Sequence, residues 1–270
     1  MTSIQFVFES TSSHGWVGPL HNSHRVNGAI ATQNAGSISN KSLYYQVGGK
    51  GMNGRFATEL GRANQLDDAN GMLIDAYNGL YPKADDGSLA WDHDSSQSPP
   101  RSDRLTSFIV GLIPDGRYVG GDIAAMAYSV GPVLGPAGIV DDQQYQSIYF
   151  DAVCGIDAWN DDAKSDSSIR TISGLRIVML SCGIYAQSVT DRTKLYEDSA
   201  RNIILGAAKA LKAYPSLDGL TILINTNDAT SMGGKPHVPK ERPAFTSAAT
   251  GLGLTVTSTG FTVTPAQAPG

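Results

Sequence analysis

Short apolar runs alternate along the chain with polar, glycine-rich segments. Such runs, rich in β-branched and aromatic residues, predict buried strands at 4–8, 27–33, 105–114, 175–180 and 220–224. Apolar positions spaced three and four residues apart predict helices over 53–65, over 142–158 and from about 191 to 213. This alternation of strands and helices predicts an α/β sheet with helices on both faces.

Polar residues mark the starts of two of these helices. Asp141 or Asp142 is a candidate N-cap for the helix over 142–158, and Thr190 or Asp191 begins the next helix. The segment 123–130, with the sequence IAAMAYSV, fits either a strand or the end of a helix.

Two segments fall outside this alternation. Residues 83–104 are polar, acidic and rich in Pro and Ser, so they are predicted to form a surface insertion. Residues 229–270 form a C-terminal extension, with a short helix expected in RPAFTSAATGLG and one or two strands in LTVTSTGFTVT. The core is therefore predicted to span 1–228. The Thr-rich tail is a candidate strand for self-association at a sheet edge.

Composition and net charge limit the kinds of molecule that the protein is expected to bind. The 270 residues carry a net charge of −5, which argues against general nucleic-acid binding but leaves room for a small anionic ligand. The two cysteines, Cys154 and Cys182, fit reduced thiols better than one disulfide. We see neither a signal peptide nor an apolar segment long enough to span a bilayer, and expect a cytoplasmic protein. The histidines near the N-terminus lack obvious partner ligands, so no metal or cofactor is predicted.

Two loops at predicted strand ends are candidates for ligand chemistry. One, around Gly48, Gly49 and Gly51, precedes a predicted helix, and the other, SCGIYAQS, follows the strand at 175–180. Consecutive backbone N–H groups in such loops bind anions, and a following helix adds the positive end of its dipole. The P-loop spacing is absent, and the GxGxxG spacing at 49–54 does not follow the first strand. Cys182 lies at a strand end, but no histidine is placed by the sequence to activate it.

These pieces, in their order, resemble the macrodomains, a family of ADP-ribose-binding modules. The family has an Asn-Ala-Ala-Asn stretch followed by a glycine run, and QNAGSISN and GGKGMNGRFATELGRA take those places here. A strand ending in Val-Gly-Pro corresponds to YSVGP at 128–132, and a Ser-Thr-Gly-Ile-Tyr-Gly loop corresponds to SCGIYA at 181–186. The resemblance covers about residues 4–228 and implies a three-layer α/β/α fold with a mixed sheet.

The resemblance also implies roles for individual residues. Asn34 or Asn40 stands for the asparagine that contacts the distal ribose and takes part in catalysis; Asn34 fits the family context better and Asn40 the spacing. Ligand contacts are implied for Glu9, Gly48, Gly49, Lys50, Gly51, Ser181, Cys182, Gly183, Ile184, Tyr185 and Asn227.

The chain departs from the family at two of these places. The aspartate that recognises adenine is absent, and Glu9 is the nearest acidic residue; Lys50 interrupts the glycine run. The implied function is binding of ADP-ribose or a related nucleotide diphosphate, with hydrolysis of ADP-ribosyl linkages. The alternatives are a binding module without catalysis and a structural or assembly protein on the same scaffold.

Overall fold

The computed structural model describes residues 2–10, 28–35, 106–111, 123–132, 134–167, 169, 171–182, 186–226, 231–232, 235–236 and 238–269. The strands in this part of the chain are β1 (Ile4–Glu9), β2 (Gly28–Ala35), β3 (Thr106–Gly111), β4 (Ile123–Gly131), β5 (Gly174–Ile177), β6 (Thr221–Asn225), β7 (Ser231–Met232), β8 (Lys235–Pro236) and β9 (Gly260–Val263). The helices are α1 (Asp142–Ser165), α2 (Arg192–Ala213) and α3 (Glu241–Gly251).

Seven of these strands form one mixed sheet, in the order β3-β4-β2-β5-β6-β1-β9. The five inner strands, from β4 to β1, run parallel, and β3 and β9 pair antiparallel with the strands beside them. The predicted α/β class with a mixed sheet is confirmed. The segment 123–130 belongs to a strand. The predicted helix over 53–65 and the insertion at 83–104 lie outside the described residues.

The described helices share one hydrophobic core with one face of the sheet. Alternate strand residues supply the sheet side of that core, among them Phe6, Leu175 and Ile222, each at most 1% exposed. The intervening residues Arg176 and Leu223 are fully buried but lie on the opposite face, as the period of two in a strand requires. Both faces of the central strands are therefore covered, as in other parallel sheets.

The two long helices begin at the predicted caps. The carboxylates of Asp141 and Asp191 accept hydrogen bonds from the backbone N–H groups of Gln144 and Lys194, both at 2.9 Å. Each bond satisfies one N–H group that the first helical turn leaves without a partner. α1 continues seven residues past the predicted end at 158, through an exposed polar segment in which Lys164 pairs with Asp161.

The C-terminal segment joins the core through β9, which pairs with β1. The ring of Phe261 stacks on that of Phe6, with centroids 4.9 Å apart. Gly260 begins the strand with φ of +146°, and a Cβ at this position would lie 1.9 Å from the carbonyl oxygen of Phe6. Only glycine permits this approach. The tail thus supplies a strand to its own sheet.

We expect Gly206→Ala to destabilise the protein, because Gly206 lies where α2 crosses α1. A Cβ there would lie 2.7 Å from the backbone oxygen of Gln146, and that backbone moves only with the helix. The free-energy cost of overpacking should exceed the stabilisation that alanine's higher helix propensity adds. We therefore expect a net loss of about 1–2 kcal/mol in the free energy of unfolding, measured by urea denaturation. Gly251→Ala is the matched control, because Gly251 has open space around its Cβ position. Equal stability of the two variants would contradict the packing assignment.

Candidate functional site

The carboxyl ends of the five parallel strands meet at one edge of the sheet, which we call the carboxyl edge. Register pairs Asn34 and Ala35 in β2 with Val130 and Gly131 in β4, and Glu9 in β1 with Asn225 in β6. The loop after β5 leaves the sheet between these two pairs. In open α/β sheets, this is the edge at which ligands bind.

Two tyrosine hydroxyls from α1 form hydrogen bonds with the backbone where the chain leaves β5. Tyr149 donates to the carbonyl of Val178 at 3.0 Å and accepts from the N–H of Leu180 at 2.9 Å. Tyr145 donates to the carbonyl of Leu180 at 2.7 Å and is bonded to the hydroxyl of Ser199 at 2.7 Å. These bonds replace the ladder bonds that a longer strand would make, so β5 ends at Ile177 rather than at the predicted residue 180.

Both tyrosines stay protonated in this environment. Burial raises the pKa of Tyr145 and of Tyr149 well above the usual value, because an ionised phenol would lose its hydration. Each hydroxyl therefore remains available as a hydrogen-bond donor at physiological pH. Their positions in the sequence predict the buried face of α1, but the hydroxyl contacts carry no sequence signal.

Ser181 is the first residue of the SCGIYAQS loop between β5 and α2, which we call the candidate phosphate loop. The backbone of Ser181 has an unusual conformation. Its φ is +59°, the left-handed region that costs a residue with a Cβ about 1 kcal/mol. The side chain is fully buried, and its hydroxyl has no hydrogen-bond partner within the described residues. A buried hydroxyl left without a partner is costly, and such groups are concentrated where a ligand or ordered water completes the structure.

Cys182 turns its side chain into the protein. It is 2% exposed and packs in a small apolar cluster with Leu134, Ala186, Val189 and Leu195. Burial raises the pKa of its thiol to about 11, so the thiol stays protonated at neutral pH and is a poor nucleophile. Both cysteines are free, and no disulfide joins them.

The loop between β5 and α2 is tied to the segment that follows β4. Ser188 donates its hydroxyl to the carbonyl of Leu134 at 2.9 Å, and the backbone N–H and hydroxyl of Thr190 both donate to Pro136, each at 3.2 Å. The segment after β4, which follows the Val-Gly-Pro motif at 130–132, therefore supports the part of this loop that leads into α2.

Glu9 and Asn34 lie on opposite sides of the β5 loop. Glu9 ends β1 and is 4% exposed, and its carbonyl accepts the N–H of Thr226 at 3.0 Å. Asn34 is the second-last residue of β2, the strand beside β5. The other predicted contacts lie outside the described residues: Asn40, Gly48, Gly49, Lys50, Gly51, Gly183, Ile184, Tyr185 and Asn227.

A cavity of about 310 Å³ lies at the opposite, amino edge of the sheet. Its lining includes the carboxylates of Asp157, Asp161 and Asp218, with Lys164 as the nearby cation. Asp157 and Asp218 already accept hydrogen bonds from Ser216 and from the backbone of Ser3. Three carboxylates repel an anion, so this cavity is unsuited to a diphosphate.

The described residues hold no cluster of three or more His, Cys, Asp or Glu side chains arranged to bind a metal ion. None of the helices described is long and apolar enough to cross a membrane.

The chain is similar to several solved structures, whereas no protein-family model and no curated protein matches it. A macrodomain from Oceanobacillus iheyensis with MES bound is 12% identical, with a TM-score of 0.50 and coverage of 92% of this chain and 91% of its own. A Trypanosoma brucei macrodomain in complex with ADP is 8% identical, with a TM-score of 0.45 and coverage of 91% and 69%. The IBV X-domain is 10% identical, with a TM-score of 0.42 and coverage of 90% and 96%.

The similarity to the Oceanobacillus iheyensis macrodomain shows that this chain has a macrodomain-like fold. The resemblance seen in the sequence is therefore confirmed at the level of the fold.

We predict that Tyr149→Phe destabilises the protein by about 2 kcal/mol, because it leaves one buried and one partly buried backbone group of the β5 exit without this partner. Urea denaturation measures the loss. Tyr214→Phe is the control, since Tyr214 is 41% exposed. If both variants lose the same stability, the hydroxyl bridge is not what holds the end of β5.

Stability should fall as the pH rises above about 9, because burial raises the pKa of Cys182 from 9.0 to about 11. The unfolded thiol ionises first, so each further pH unit favours the unfolded chain by about 1.4 kcal/mol for this group. Cys182→Ala should therefore show a flatter decline between pH 9 and 10.5 than the unmodified protein. Parallel curves for the two proteins would show that the thiol is not buried.

Proposed function

We propose that this protein binds ADP-ribose or a closely related nucleoside diphosphate at the carboxyl edge of its sheet. The macrodomain fold and the construction of the β5 loop support the proposal. The observation that carries it is the order of Glu9, Ser181 and Asn34 across this edge. With the roles that the resemblance implies for these residues, this order fits adenine, diphosphate and distal ribose along ADP-ribose.

That order runs from β1 to β2. Glu9 at the end of β1 recognises the adenine, the loop from Ser181 holds the diphosphate, and Asn34 at the end of β2 contacts the distal ribose. The strands between them give three inter-strand spacings, or roughly 14 Å, so one extended ligand reaches all three positions.

The groups at the loop from Ser181, which lies between Glu9 and Asn34, are suited to bind an anion. The buried Ser181 hydroxyl becomes a hydrogen-bond donor to a phosphate oxygen, and the guanidinium of Arg192 lies against the same loop. Hydrogen bonds to a charged oxygen are about twice as strong as those between neutral groups. The resemblance also implies diphosphate contacts for Gly48, Gly49, Lys50 and Gly51, which lie outside the described residues.

Hydrolysis of an ADP-ribosyl linkage is the second activity that we assign to this site. Asn34 or Asn40 orients the distal ribose so that a water molecule attacks its anomeric carbon, and catalysis then comes from positioning. The protonated thiol of Cys182 takes no part as a nucleophile. The placement of Asn34 at the carboxyl edge favours this activity over a purely structural role.

Isothermal titration calorimetry with ADP-ribose tests the binding proposal, and Ser181→Ala is the most informative variant. We expect a loss of about tenfold in affinity, because the variant removes one donor to a charged oxygen. The stability of the ligand-free protein should be unchanged or higher, since the hydroxyl has no hydrogen-bond partner among the described residues.

Ser216→Ala is the matched control at the amino edge, where the Ser216 hydroxyl is bonded to Asp157. It should leave the affinity for ADP-ribose unchanged. Absence of binding to the unmodified protein at millimolar ADP-ribose would refute the proposed function. Incubation with an ADP-ribosylated protein then separates the two activities, because release of ADP-ribose requires hydrolysis.

A further inference from the structure

The cavity at the amino edge of the sheet has the size and lining of a small-molecule site. Its volume is about 310 Å³, and its walls come from α1, residues 171–173 and residues 216–220. The lining includes four apolar side chains that are at most 5% exposed: Ile156, Ile172, Leu217 and Leu220. Sites for small ligands combine such an apolar lining with a few polar groups that fix the orientation of the ligand.

Hydrogen bonds fix the walls of this cavity to one another and to the start of β1. The side-chain amide of Asn160 in α1 donates to the carbonyl of Ile172 at 2.9 Å and accepts the N–H of the same residue at 2.7 Å. The carboxylate of Asp218 accepts the N–H of Ser3 at 2.7 Å, and the carbonyl of Ser3 accepts the N–H of Gly219 at 2.9 Å. Because the walls are fixed before a ligand arrives, binding costs little conformational entropy.

The side chains around the cavity carry more negative than positive charge. Three carboxylates line it, against one ammonium group, that of Lys164, which pairs with Asp161 at 2.6 Å. Asp157 and Asp218 each use Oδ1 to accept a hydrogen bond, from Ser216 and from the backbone of Ser3. The second oxygen of each of these two carboxylates has no hydrogen-bond partner within the described residues and is available to a donor.

Two helix ends add negative potential that is independent of the carboxylates. α1 ends at Ser165 and α2 ends at Ala213, both at the amino edge of the sheet. The cavity lining includes Lys164 from the last turn of α1 and begins again at Ser216, just past the end of α2. The last carbonyl groups of a helix form the negative end of its dipole, which attracts cations.

An organic cation suits this cavity better than a metal ion. The three carboxylates are not arranged to bind one ion together, since no metal-binding cluster of three such side chains occurs in the described residues. A metal ion would also leave the apolar lining uncovered. A ligand with an apolar body removes that surface from water, at roughly 25 cal/mol per Å².

We propose that the amino-edge cavity binds a small organic cation, an ammonium group on a short apolar body. The apolar body packs on Ile156, Ile172 and Leu217, and the ammonium group donates hydrogen bonds to the carboxylates of Asp157 and Asp218. This site lies at the edge of the sheet opposite the ADP-ribose site, so the inference does not rest on the proposed function.

The test compares three probes that carry a phenyl ring on a short stem: phenethylammonium, phenethyl alcohol and phenylacetate. NMR titration of the backbone amides measures the affinity of each probe and locates it. Phenethylammonium should shift the amides of 157–164, 171–173 and 216–220, and bind about tenfold or more tightly than the alcohol, because hydrogen bonds between charged groups are stronger. Phenylacetate, whose charge is reversed, should leave these amides unchanged.

Two variants assign the cation to the carboxylates. Asp157→Asn and Asp218→Asn each remove one charge and keep an oxygen that accepts the existing hydrogen bond from Ser216 or Ser3. Each should weaken the binding of phenethylammonium by about three- to tenfold. Asp198→Asn is the matched control, since Asp198 lies on α2 and pairs with Lys194; its affinity for phenethylammonium should equal that of the unmodified protein.

Three results would overturn the inference. These are no binding of phenethylammonium at millimolar concentration, equal affinity for phenethylammonium and phenethyl alcohol, and unchanged affinity in both cavity variants. The comparison of probes uses the unmodified protein, so the test stays decisive if a variant does not fold. Titration with ADP-ribose tests the proposed function separately, and either proposal can fail while the other holds.

Discussion

The geometry of the carboxyl edge depends on how the chain leaves β5. A strand in the middle of a sheet ends only where its next backbone groups find other partners, because unpaired backbone groups inside a protein cost several kcal/mol. Tyr149 and Tyr145 provide those partners from α1. Their hydroxyls replace the strand ladder and direct the chain into the turn at Ser181, where the left-handed conformation begins the candidate phosphate loop.

Contacts from three elements then hold the described residues on either side of 183–185: α1 contacts Leu180, the segment after β4 contacts Ser188, and Arg192 contacts Cys182 and Ala186. Backbone groups that are fixed before a ligand binds lose little conformational freedom on binding, which favours affinity. The same rigidity suits catalysis by positioning, in which the protein contributes orientation and fixed polar groups.

The amino-acid sequence predicts most of the sheet and both long helices, since their periodic apolar residues and the caps Asp141 and Asp191 leave clear patterns. It predicts Ser181, Glu9 and Asn34 only through the order of motifs that resemble a family. Arg192 is missed because its partners are backbone carbonyls, which carry no residue type that a pattern would show. The hydroxyl roles of Tyr145 and Tyr149 are missed for the same reason: helical spacing identifies a buried face, but tertiary packing decides what each polar tip contacts.

The central claim is that a nucleoside diphosphate binds at the carboxyl edge, and an NMR titration of backbone amides with ADP-ribose locates the binding directly. The account predicts chemical-shift changes at Ser181, Cys182 and Ala186, with the amide of Glu9 also affected and the amino-edge segment 216–220 unchanged. Changes confined to 216–220, or no change at millimolar ADP-ribose, would contradict it.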